Sequence, residues 1–563
     1  MHIKSPSLYL QVVLRIIIAT VILTFSLGLL VPIYSDEIAI HLAKSRFFFE
    51  NGLLINLFPQ CNNYLTAQIP FTWYPAAIFY GVVYGIPYSG FGGLGLRLIG
   101  VVLGLCWLFI LWVWVGKLVQ GTVARIVVRT LVISFNGLGV LPFVLILARS
   151  EQVLLLCLAL YCMFSLFWRM GDSESIRVKV LKIFLFILLT SVFYYTHPKA
   201  IFFFPLVIVS AFLIFQKGKF YINFLIAILI GLATYQGLQQ AKNIASDCRE
   251  APLVAHALAN NTLDLHQFFE NRTEFFQHAS DNLRSSLWQV LDKVPFRNSY
   301  QSGWLPPSKN QQIGVGIQFF GDLIQKSLFL FCIGLIGVFI VQLIQQALSR
   351  RIRPKALLAS AIVFGLLVHG TIYNMSTWHF YTPGLIVPIF ILFFLLLLPD
   401  NIEPNAKWVF ASYGLAAYWM ALALVSMGIL LYLTLPRLIE IADDDKYLIS
   451  DQPLSVPIFL GERRREELLS LARRCDIDPI HTERLVVDGV AYLELKNQRE
   501  PINVLYVSDY GFGMDVSRNL GAYLARMNSD GVLSRCDYLP EMMRKNAITS
   551  GGMCCISRRT WSK

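Results

Sequence analysis

The chain has 563 residues, of which 56% are hydrophobic and 15% are charged. A soluble domain carries about 25% charged residues, so this composition excludes an ordinary soluble protein and predicts a membrane protein. The net charge of +12 would suit nucleic-acid binding, but membrane proteins also keep Lys and Arg in their cytoplasmic loops. We therefore expect a lipid bilayer as partner and no nucleic acid.

Apolar runs with the length of a bilayer-spanning helix recur from the N-terminus to about residue 434. The first run lacks an A-x-A cleavage site, which indicates an anchor and not a removed signal peptide. The predicted spans are 16–33, 95–116, 131–147, 152–168, 181–196, 200–216, 221–238, 327–346, 356–374, 383–398 and 408–434.

Basic clusters between these spans give the predicted topology. With the N-terminus in the cytoplasm, all the clusters fall on the cytoplasmic side if the apolar stretch 71–88 does not cross. Its prolines and the glycines after it suit a re-entrant or interfacial segment. The result is about eleven crossings, with the C-terminus outside. The clusters are Lys117, Arg125 and Arg129, then Arg169, Arg177, Lys179 and Lys182, then Lys217 and Lys219, and finally Arg350, Arg351, Arg353 and Lys355.

This topology places several polar segments on the outer face. Two are long loops, 34–94 and 239–326, and a third is the C-terminal region from residue 436. The remaining outer segments are the short turns 148–151, 196–199 and 376–382. Their convergence on one face predicts a single site there.

The first outer loop begins with an acidic pair, Asp36-Glu37, directly after the first span. Carboxylates so close to lipid are costly unless they face a polar cavity. The alternative is a helix N-cap formed by Ser35 or Asp36, and the two interpretations are compatible. The stretch 41–57 mixes Phe and Leu with charged residues, so it predicts an amphipathic helix in the membrane interface.

Four further motifs lie at the outer ends of later spans. Leu96-Arg97-Leu98 begins the second span, and Ala148-Arg149-Ser150-Glu151 follows the third. Thr196-His197-Pro198-Lys199 and Trp378-His379-Phe380-Tyr381-Thr382-Pro383 form two of the outer turns.

In this order, the acidic pair and these motifs resemble those of the GT-C superfamily of lipid-phosphate-sugar-dependent glycosyltransferases. That superfamily includes protein O-mannosyltransferases, aminoarabinose transferases of lipid A, arabinosyltransferases and oligosaccharyltransferases. The resemblance covers residues 1 to about 400. It implies an all-α polytopic fold with a transmembrane transferase module over 1–435 and interfacial helices in the first outer loop. It also implies an enzyme, a hexosyl- or pentosyltransferase.

The resemblance implies that Asp36 is the general base that removes a proton from the acceptor hydroxyl. Glu37 would then orient the acceptor or tune Asp36, because adjacent carboxylates raise at least one pKa of the pair. A lipid phosphate is already a good leaving group, so the site needs cations more than a strong acid. Direct attack by the acceptor would invert the anomeric carbon.

The other candidate site residues have structural alternatives. Arg149 and Glu151 form a second charged pair or cap adjoining helices. His197, Lys199 and His379 bind the donor phosphate or, for the histidines, pack neutral in their turns. Arg97 binds phosphate or extends its charged head to the interface.

No cofactor is required by this chemistry, and the sequence shows no metal-ligand array. Some relatives use a divalent cation, and Asp36, Glu37 and Glu151 would offer it oxygen ligands. A divalent cation is therefore left open. The expected partners are a polyprenyl-phosphate sugar and a glycan, lipid or protein acceptor.

After Pro436 the apolar spans end, and 436–563 predicts a small extracytoplasmic α/β domain. Its predicted elements are helices at 462–474 and 515–527 and strands at 485–487 and 504–507. Cys475 and Cys536 could form a disulfide in an oxidising compartment. The adjacent Cys554 and Cys555 are further partners, so the sequence leaves the disulfide connectivity open.

Two other functions compete with the transferase. One is a transporter or flippase of lipid-linked sugars, although the spans show neither repeats nor mid-membrane charges. The other is a polymerase or ligase of polyprenyl-diphosphate glycans, which differs in the lipid donor that it consumes. Short loops favour a multi-pass protein of a bacterial inner membrane, with the C-terminal domain in the periplasm.

Overall fold

The computed structural model describes most of the helical bundle and part of the C-terminal region. The long described ranges are 6–34, 80–171, 173–215, 267–296, 313–350, 353–374, 382–399, 406–442, 462–478, 520–526, 529–536 and 539–561. Shorter described stretches and single residues are 37, 42, 45, 55–56, 67–68, 228, 232, 263, 455–456, 485–488, 491, 495 and 503–504.

Helices dominate the described residues, as expected of an all-α membrane protein. In the first half they are α1 (Pro6–Leu27), α2 (Ile86–Leu118), α3 (Thr122–Phe135), α4 (Leu141–Val144), α5 (Ser150–Phe167), α6 (Ile176–Thr196) and α7 (Phe204–Ile214). In the second half they are α8 (Arg272–Asp292), α9 (Val315–Ser349), α10 (Pro354–Ile372), α11 (Pro383–Leu397) and α12 (Ala406–Ala442).

Among the described residues, 6 helices are long and apolar enough to cross a membrane: α1, α2, α5, α9, α10 and α12. The helices α7 and α11 are apolar but shorter. The predicted spans at 152–168, 356–374 and 383–398 coincide closely with α5, α10 and α11. The long helices agree with the predicted membrane protein, but their number is below the expected count.

The chain folds back on itself before the straight part of α2. Gly92 has a φ of 61°, which glycine adopts far more readily than other residues, and it interrupts the helix. A Cβ at Gly95 would lie 2.0 Å from the carbonyl oxygen of Pro87, whereas a straight helix would keep these residues far apart. The described part of the stretch predicted not to cross therefore turns back instead of extending α2. Residues 71–79 lie outside the described residues.

The predicted span 131–147 is wrong as a continuous helix. Helix α3 ends at Phe135, and the chain continues through a buried turn into the four-residue α4. The turn contains Gly139 with a φ of 53°. The side chain of Asn136 stabilises the break, because it accepts from Trp107 Nε1 and donates to the Val132 carbonyl, each at 2.8 Å. Apolar composition does not distinguish the broken segment from a continuous helix, because both would bury the same apolar residues.

The helical bundle has two distinct ends. We call one end the basic end, because four basic residues lie at or near helix termini there: Lys117, Arg169, Lys182 and Lys355. Lys117 Nζ lies 5.7 Å from the centroid of the Phe167 ring, and Lys182 Nζ donates to the Arg169 carbonyl at 2.9 Å. We define the polar end as the opposite end, where α2 begins, α5 begins and α6 terminates.

Helices run in both directions between these two ends. The backbone of Ile214 at the terminus of α7 accepts from the Met170 amide at the basic end. Helix α10 begins at the basic end and ends at Ile372 at the polar end. The ring of the next residue, Tyr373, lies 5.4 Å from Lys199 Nζ. One large apolar core fills the bundle between the ends, including Trp107, Trp114 and Phe143.

Helix α8, in the long loop predicted at 239–326, packs across the polar end. Asn282 Nδ2 donates to the Thr371 carbonyl at 3.2 Å, and the Leu263 amide donates to the Ile372 carbonyl at 2.7 Å. Phe269 and Phe276 on this segment are exposed. The segment 239–326 therefore contains an amphipathic helix that lies against the ends of α9 and α10 at the polar end of the bundle.

The C-terminal region forms a mixed five-stranded sheet. Its strands are β5 (Leu485–Val487), β6 (Asn503–Val504), β7 (Gly531–Arg535), β8 (Ile548–Ser550) and β9 (Met553–Ser557), and their order in the sheet is β6-β5-β7-β9-β8. Strands β5, β6 and β7 are parallel, whereas β9 runs antiparallel to both β7 and β8. The accompanying helices are α13 (Glu462–Arg474), α14 (Leu520–Arg526), α15 (Glu541–Lys545) and α16 (Arg558–Trp561).

The predicted helix at 462–474 and the strand at 485–487 are observed with the predicted bounds. The disulfide connectivity, which the sequence left open, joins Cys475 to Cys555 and Cys536 to Cys554, so Cys475 and Cys536 do not pair with each other. Adjacent residues of a strand point to opposite faces of its sheet, so Cys554 and Cys555 bond on different faces. That geometry depends on β9, which the sequence analysis did not predict.

The segment between α1 and α2 takes part in two short strand pairs. Strand β1 (Ile33–Tyr34) pairs with β4 (Ser455–Val456) of the C-terminal region, and β2 (Ile55–Asn56) pairs with β3 (Ala67–Gln68). The end of the amphipathic helix expected at 41–57 is therefore wrong, since residues 55–56 are extended. Most of that helix lies outside the described residues.

Candidate functional site

The polar end joins two groups of charged residues. The first is the pair Glu37 and Arg97, and the second is the Glu151 cluster, which we define as Arg149, Glu151, His197 and Lys199. A Cβ at Gly100 on α2 would lie 1.8 Å from the Ile146 carbonyl oxygen, so α2 packs backbone to backbone on the segment leading to Arg149. The two groups therefore share one end of the bundle.

Glu37 and Arg97 form a buried bidentate ion pair. Arg97 Nη1 and Nη2 lie 2.8 and 2.7 Å from the two carboxylate oxygens of Glu37. The same guanidinium donates through Nε to the Val31 carbonyl at 2.7 Å and through Nη2 to the Pro32 carbonyl at 2.5 Å. Arg97 thus fastens the chain after α1 to the beginning of α2.

Burial changes the interpretation of Arg97. Its exposed fraction is 0% and that of Glu37 is 1%, so the alternative in which Arg97 extends to the interface is wrong. A bidentate Arg–carboxylate pair is geometrically specific and holds both partners in place. The observed contacts give Arg97 a positioning role, and phosphate binding by Arg97 stays a prediction.

Two predicted residues, Asp36 and His379, lie outside the described residues. Asp36 stands in the chain between Tyr34 of β1 and the buried Glu37. His379 stands between Asn374 and Thr382, which follow α10 and precede α11. Their assignments as general base and phosphate ligand stay predictions.

Three basic side chains surround the carboxylate of Glu151. His197 Nε2 and Lys199 Nζ lie 3.3 and 3.4 Å from Oε1, and Arg149 Nε lies 3.5 Å from Oε2. Glu151, Arg149 and Lys199 are all buried. The four predicted residues from two separate turns are therefore brought together by the fold.

Local sequence explains how Glu151 is held. Arg149 is the N-cap residue of α5, and its amide donates to Gln152 Oε1 at 3.1 Å. Gln152 Nε2 in turn donates to the Val144 carbonyl at 2.7 Å. Glu151 thus stands in the first turn of α5, where the helix dipole favours a negative charge. Gln152 therefore caps α5, while the Arg149 and Glu151 side chains belong to the Glu151 cluster.

The tautomer of His197 follows from its two partners. Nδ1 accepts a hydrogen bond from the Lys199 amide at 2.9 Å, so Nδ1 carries no proton. Burial lowers the pKa of His197 below its ordinary value and outweighs the attraction of Glu151 for a charged ring. A neutral imidazole with an unprotonated Nδ1 carries its proton on Nε2, which donates to Glu151.

Two aromatic residues at this site, His369 and Tyr373, were not among the predicted residues. Lys199 Nζ lies 5.4 Å from the centroid of the Tyr373 ring, and the His369 ring stacks on Tyr373 with centroids 4.9 Å apart. An ionisable residue within an apolar span is a signal for function, and His369 offered that signal.

His369 also lines an apolar cavity of about 320 Å³ between α8, α9, α10 and α11. Phe329, Ile333 and Ile386 belong to its wall, and Arg284 of α8 is the charged residue that lines it. The cavity therefore extends from the level of the stacked His369 and Tyr373 rings along three apolar helices. Its lining is mainly apolar.

The described residues hold no group of three or more His, Cys, Asp or Glu side chains that could bind a metal ion. Glu37 and Glu151 each have basic partners instead. No protein-family model matches the sequence, and no curated protein matches it significantly.

Proposed function

We propose that the protein is a membrane glycosyltransferase that moves a hexose or pentose from a polyprenyl-phosphate donor to an acceptor hydroxyl. One observation carries this proposal: the motifs around Glu37, Arg97, Glu151 and Lys199 come from separate segments and meet at one end of an apolar helical bundle. The resemblance to GT-C glycosyltransferases supplies the reaction.

The acidic and basic groups would divide the work. Asp36 acts as the general base toward the acceptor, and the Glu37–Arg97 pair fixes the chain beside it. Arg149 and Lys199 supply positive charge for the departing phosphate, with Glu151 holding both in position. Preformed charges in a buried site stabilise developing negative charge without reorganising at the moment of reaction. His379 adds a donor in this proposal.

The apolar cavity supports a lipid donor. Its walls belong to α9, α10 and α11, and His369 links it through Tyr373 to Lys199. A polyprenyl chain in the cavity would place its phosphate toward the Glu151 cluster. Arg284, which also lines the cavity, would attract an anionic headgroup during entry.

The same bundle suggests a path for the whole chain. Ile214 lies at the basic end, whereas Leu263 contacts α10 at the polar end, so in this proposal the chain crosses the membrane between these two residues. Span 221–238 would supply this crossing. Together with the broken α3–α4 segment and helices α6, α7 and α11, it brings the six long helices to about eleven crossings.

Two features support an orientation with the polar end in the periplasm of an inner membrane. Basic residues collect at the opposite end, which is the cytoplasmic side under the positive-inside rule. The C-terminal domain contains two disulfides, which persist in oxidising compartments. This domain, 436–563, would lie outside the cytoplasm with the acceptor.

The test is transfer from polyprenyl-phosphate sugars by the full-length protein in lipid nanodiscs, with envelope glycans, lipid A and peptides as acceptors. We expect a glycosylated acceptor and free polyprenyl phosphate, detected by mass spectrometry. Asp36→Asn should lower the rate by about 100-fold or more, because general-base catalysis contributes that much. Glu174→Gln, at the basic end, is the control with unchanged rate.

Undiminished transfer by Asp36→Asn would overturn the assignment of the base. Movement of intact lipid-linked sugar across vesicles without any transfer would instead establish a transporter. Consumption of polyprenyl-diphosphate glycans in place of monophosphate sugars would establish a polymerase or ligase.

A further inference from the structure

The C-terminal domain is joined to the chain that leads into the acidic pair. Ile33 pairs with Val456 and Tyr34 pairs with Ser455 in an antiparallel register. Tyr34 is two residues before Asp36. The domain thus contacts the backbone immediately before the proposed general base.

A shared hydrophobic core stabilises this junction. Two paired residues form too short a ladder to persist alone, so packing must hold it. Ile33 is 1% exposed and belongs to one buried cluster with Leu96 of α2, Ala148 before α5 and Leu471 of α13. The buried apolar residues of α13 follow helical spacing and form one face, which Cys475 continues just after the helix; they are Leu468, Leu471 and Ala472.

The two disulfides lie in different cores of the domain. Cys475 and Cys555 belong to the cluster that contains Ile33 and Leu96. Cys554 belongs to the cluster on the other face of the sheet, and its partner Cys536 packs against that cluster. One disulfide therefore fastens α13 to the sheet at the junction with the bundle, and the other fastens the far face.

We propose that the C-terminal domain is a positioning unit of the acidic site, and that the Cys475–Cys555 disulfide is its positioning element. By holding α13 against the sheet, this disulfide preserves the core that seats Ile33. Strand β1 is then fixed on one side of Asp36, while the Glu37–Arg97 pair fixes the chain on the other. The effect on catalysis rests on the proposed function, but the effect on β1 does not.

The experiment compares two matched variants of the full-length protein in nanodiscs. Cys475→Ser/Cys555→Ser removes the junction disulfide, and Cys536→Ser/Cys554→Ser removes the far one. Hydrogen exchange of the peptide 31–37 reports on β1 without any assay of activity. We expect the first variant to exchange about tenfold faster or more in this peptide, and the second to match the wild type, because local opening follows the loss of local packing.

Transfer kinetics give the second readout. The first variant should lose kcat with an unchanged KM for the donor, because the Glu151 cluster and the cavity are intact. If either cysteine variant fails to fold, Ser455→Pro/Val456→Pro replaces it, since proline removes both backbone donors of β4 and leaves both disulfides. This variant should also speed exchange in the peptide 31–37.

Equal exchange in the two disulfide variants, or no change from Ser455→Pro/Val456→Pro, would overturn the positioning role. Faster exchange in a protein that transfers no sugar would retain the structural role and refute the proposed function. Faster exchange with unchanged kcat would show that the domain holds β1 but is not a positioning unit of the acidic site.

Discussion

Arg97 and Glu37 are joined by two parallel hydrogen bonds of 2.8 and 2.7 Å, and neither side chain is more than 1% exposed. The guanidinium also binds the Val31 and Pro32 carbonyls, so one side chain connects α2 to the chain on both sides of β1. A buried pair of this kind is costly to break from one side only, because the remaining charge loses the bidentate partner that offsets its desolvation.

The first prediction follows from that asymmetry. Arg97→Met should lower the free energy of unfolding by about 3–5 kcal/mol, whereas Arg97→Met/Glu37→Met should recover much of the loss. Thermal unfolding in detergent measures both. Arg559→Met breaks an ion pair with Asp476 that is exposed on both sides, so it serves as the control without a measurable effect. Equal losses in the single and double variants would contradict a dominant cost from burying the Glu37 carboxylate without Arg97.

The sequence predicted the polar end well because its residues follow from topology. Once each span has a direction, the turns at Arg149, His197 and Lys199 must meet at one face. Composition also predicted α13 and β5, whose apolar patterns are local. The partner of Arg97 could not be predicted, because it depends on the folded path from α1 to α2.

Other features depend on contacts that are distant in sequence. The break after α3 depends on the hydrogen bonds of the Asn136 side chain, which accepts from the Trp107 indole and donates to the Val132 carbonyl. The disulfides depend on which faces of β9 carry Cys554 and Cys555. The cavity needs four helices to leave a gap, and no single-helix pattern encodes a gap.

The second prediction compares two buried lysines at opposite ends of the bundle. Lys199 pairs with Glu151 and lies over Tyr373, and Lys182 pairs with Glu174 and lies over Trp168. Lys199→Met should lower kcat/KM for the lipid donor by about 100-fold, as loss of one charge-stabilising group does. Lys182→Met should leave kcat/KM unchanged. Equal activities of the two variants would remove Lys199 from the phosphate site.

The third prediction concerns acid. Because burial holds the pKa of His197 below its ordinary value, the unfolded chain binds a proton at this residue more readily than the folded protein does. Stability contributed by the neutral ring is therefore complete above about pH 6.5 and is lost as the pH falls from there toward the folded pKa. Unfolding temperatures between pH 7.5 and 5 should fall less for His197→Gln than for the wild type. Parallel curves would show that another group titrates.

The fourth prediction tests the close approach of α2 and the segment before α5. Gly100→Ala would bring its Cβ to 1.8 Å from the Ile146 carbonyl oxygen, so the backbones must separate. We expect a loss of about 1–3 kcal/mol in the free energy of unfolding, as overpacking usually costs. Gly334→Ala on α9 meets nothing within 4 Å and should be neutral or stabilising. Unfolding in a denaturant series distinguishes the two variants.

The fifth prediction assigns the cavity to the hydrocarbon chain of the donor. Ile333 lines it, whereas Leu330 on the same helix is 70% exposed and does not. Ile333→Trp should raise KM for a long-chain polyprenyl-phosphate sugar by about tenfold, equivalent to roughly 1.4 kcal/mol of lost apolar burial. It should leave KM unchanged for a donor whose chain is too short to enter, because the phosphate still reaches the Glu151 cluster. Leu330→Trp should leave both values unchanged, since its side chain already faces outward. If Ile333→Trp raised KM equally for long and short donors, the substitution would act on the phosphate site, and the chain would bind elsewhere.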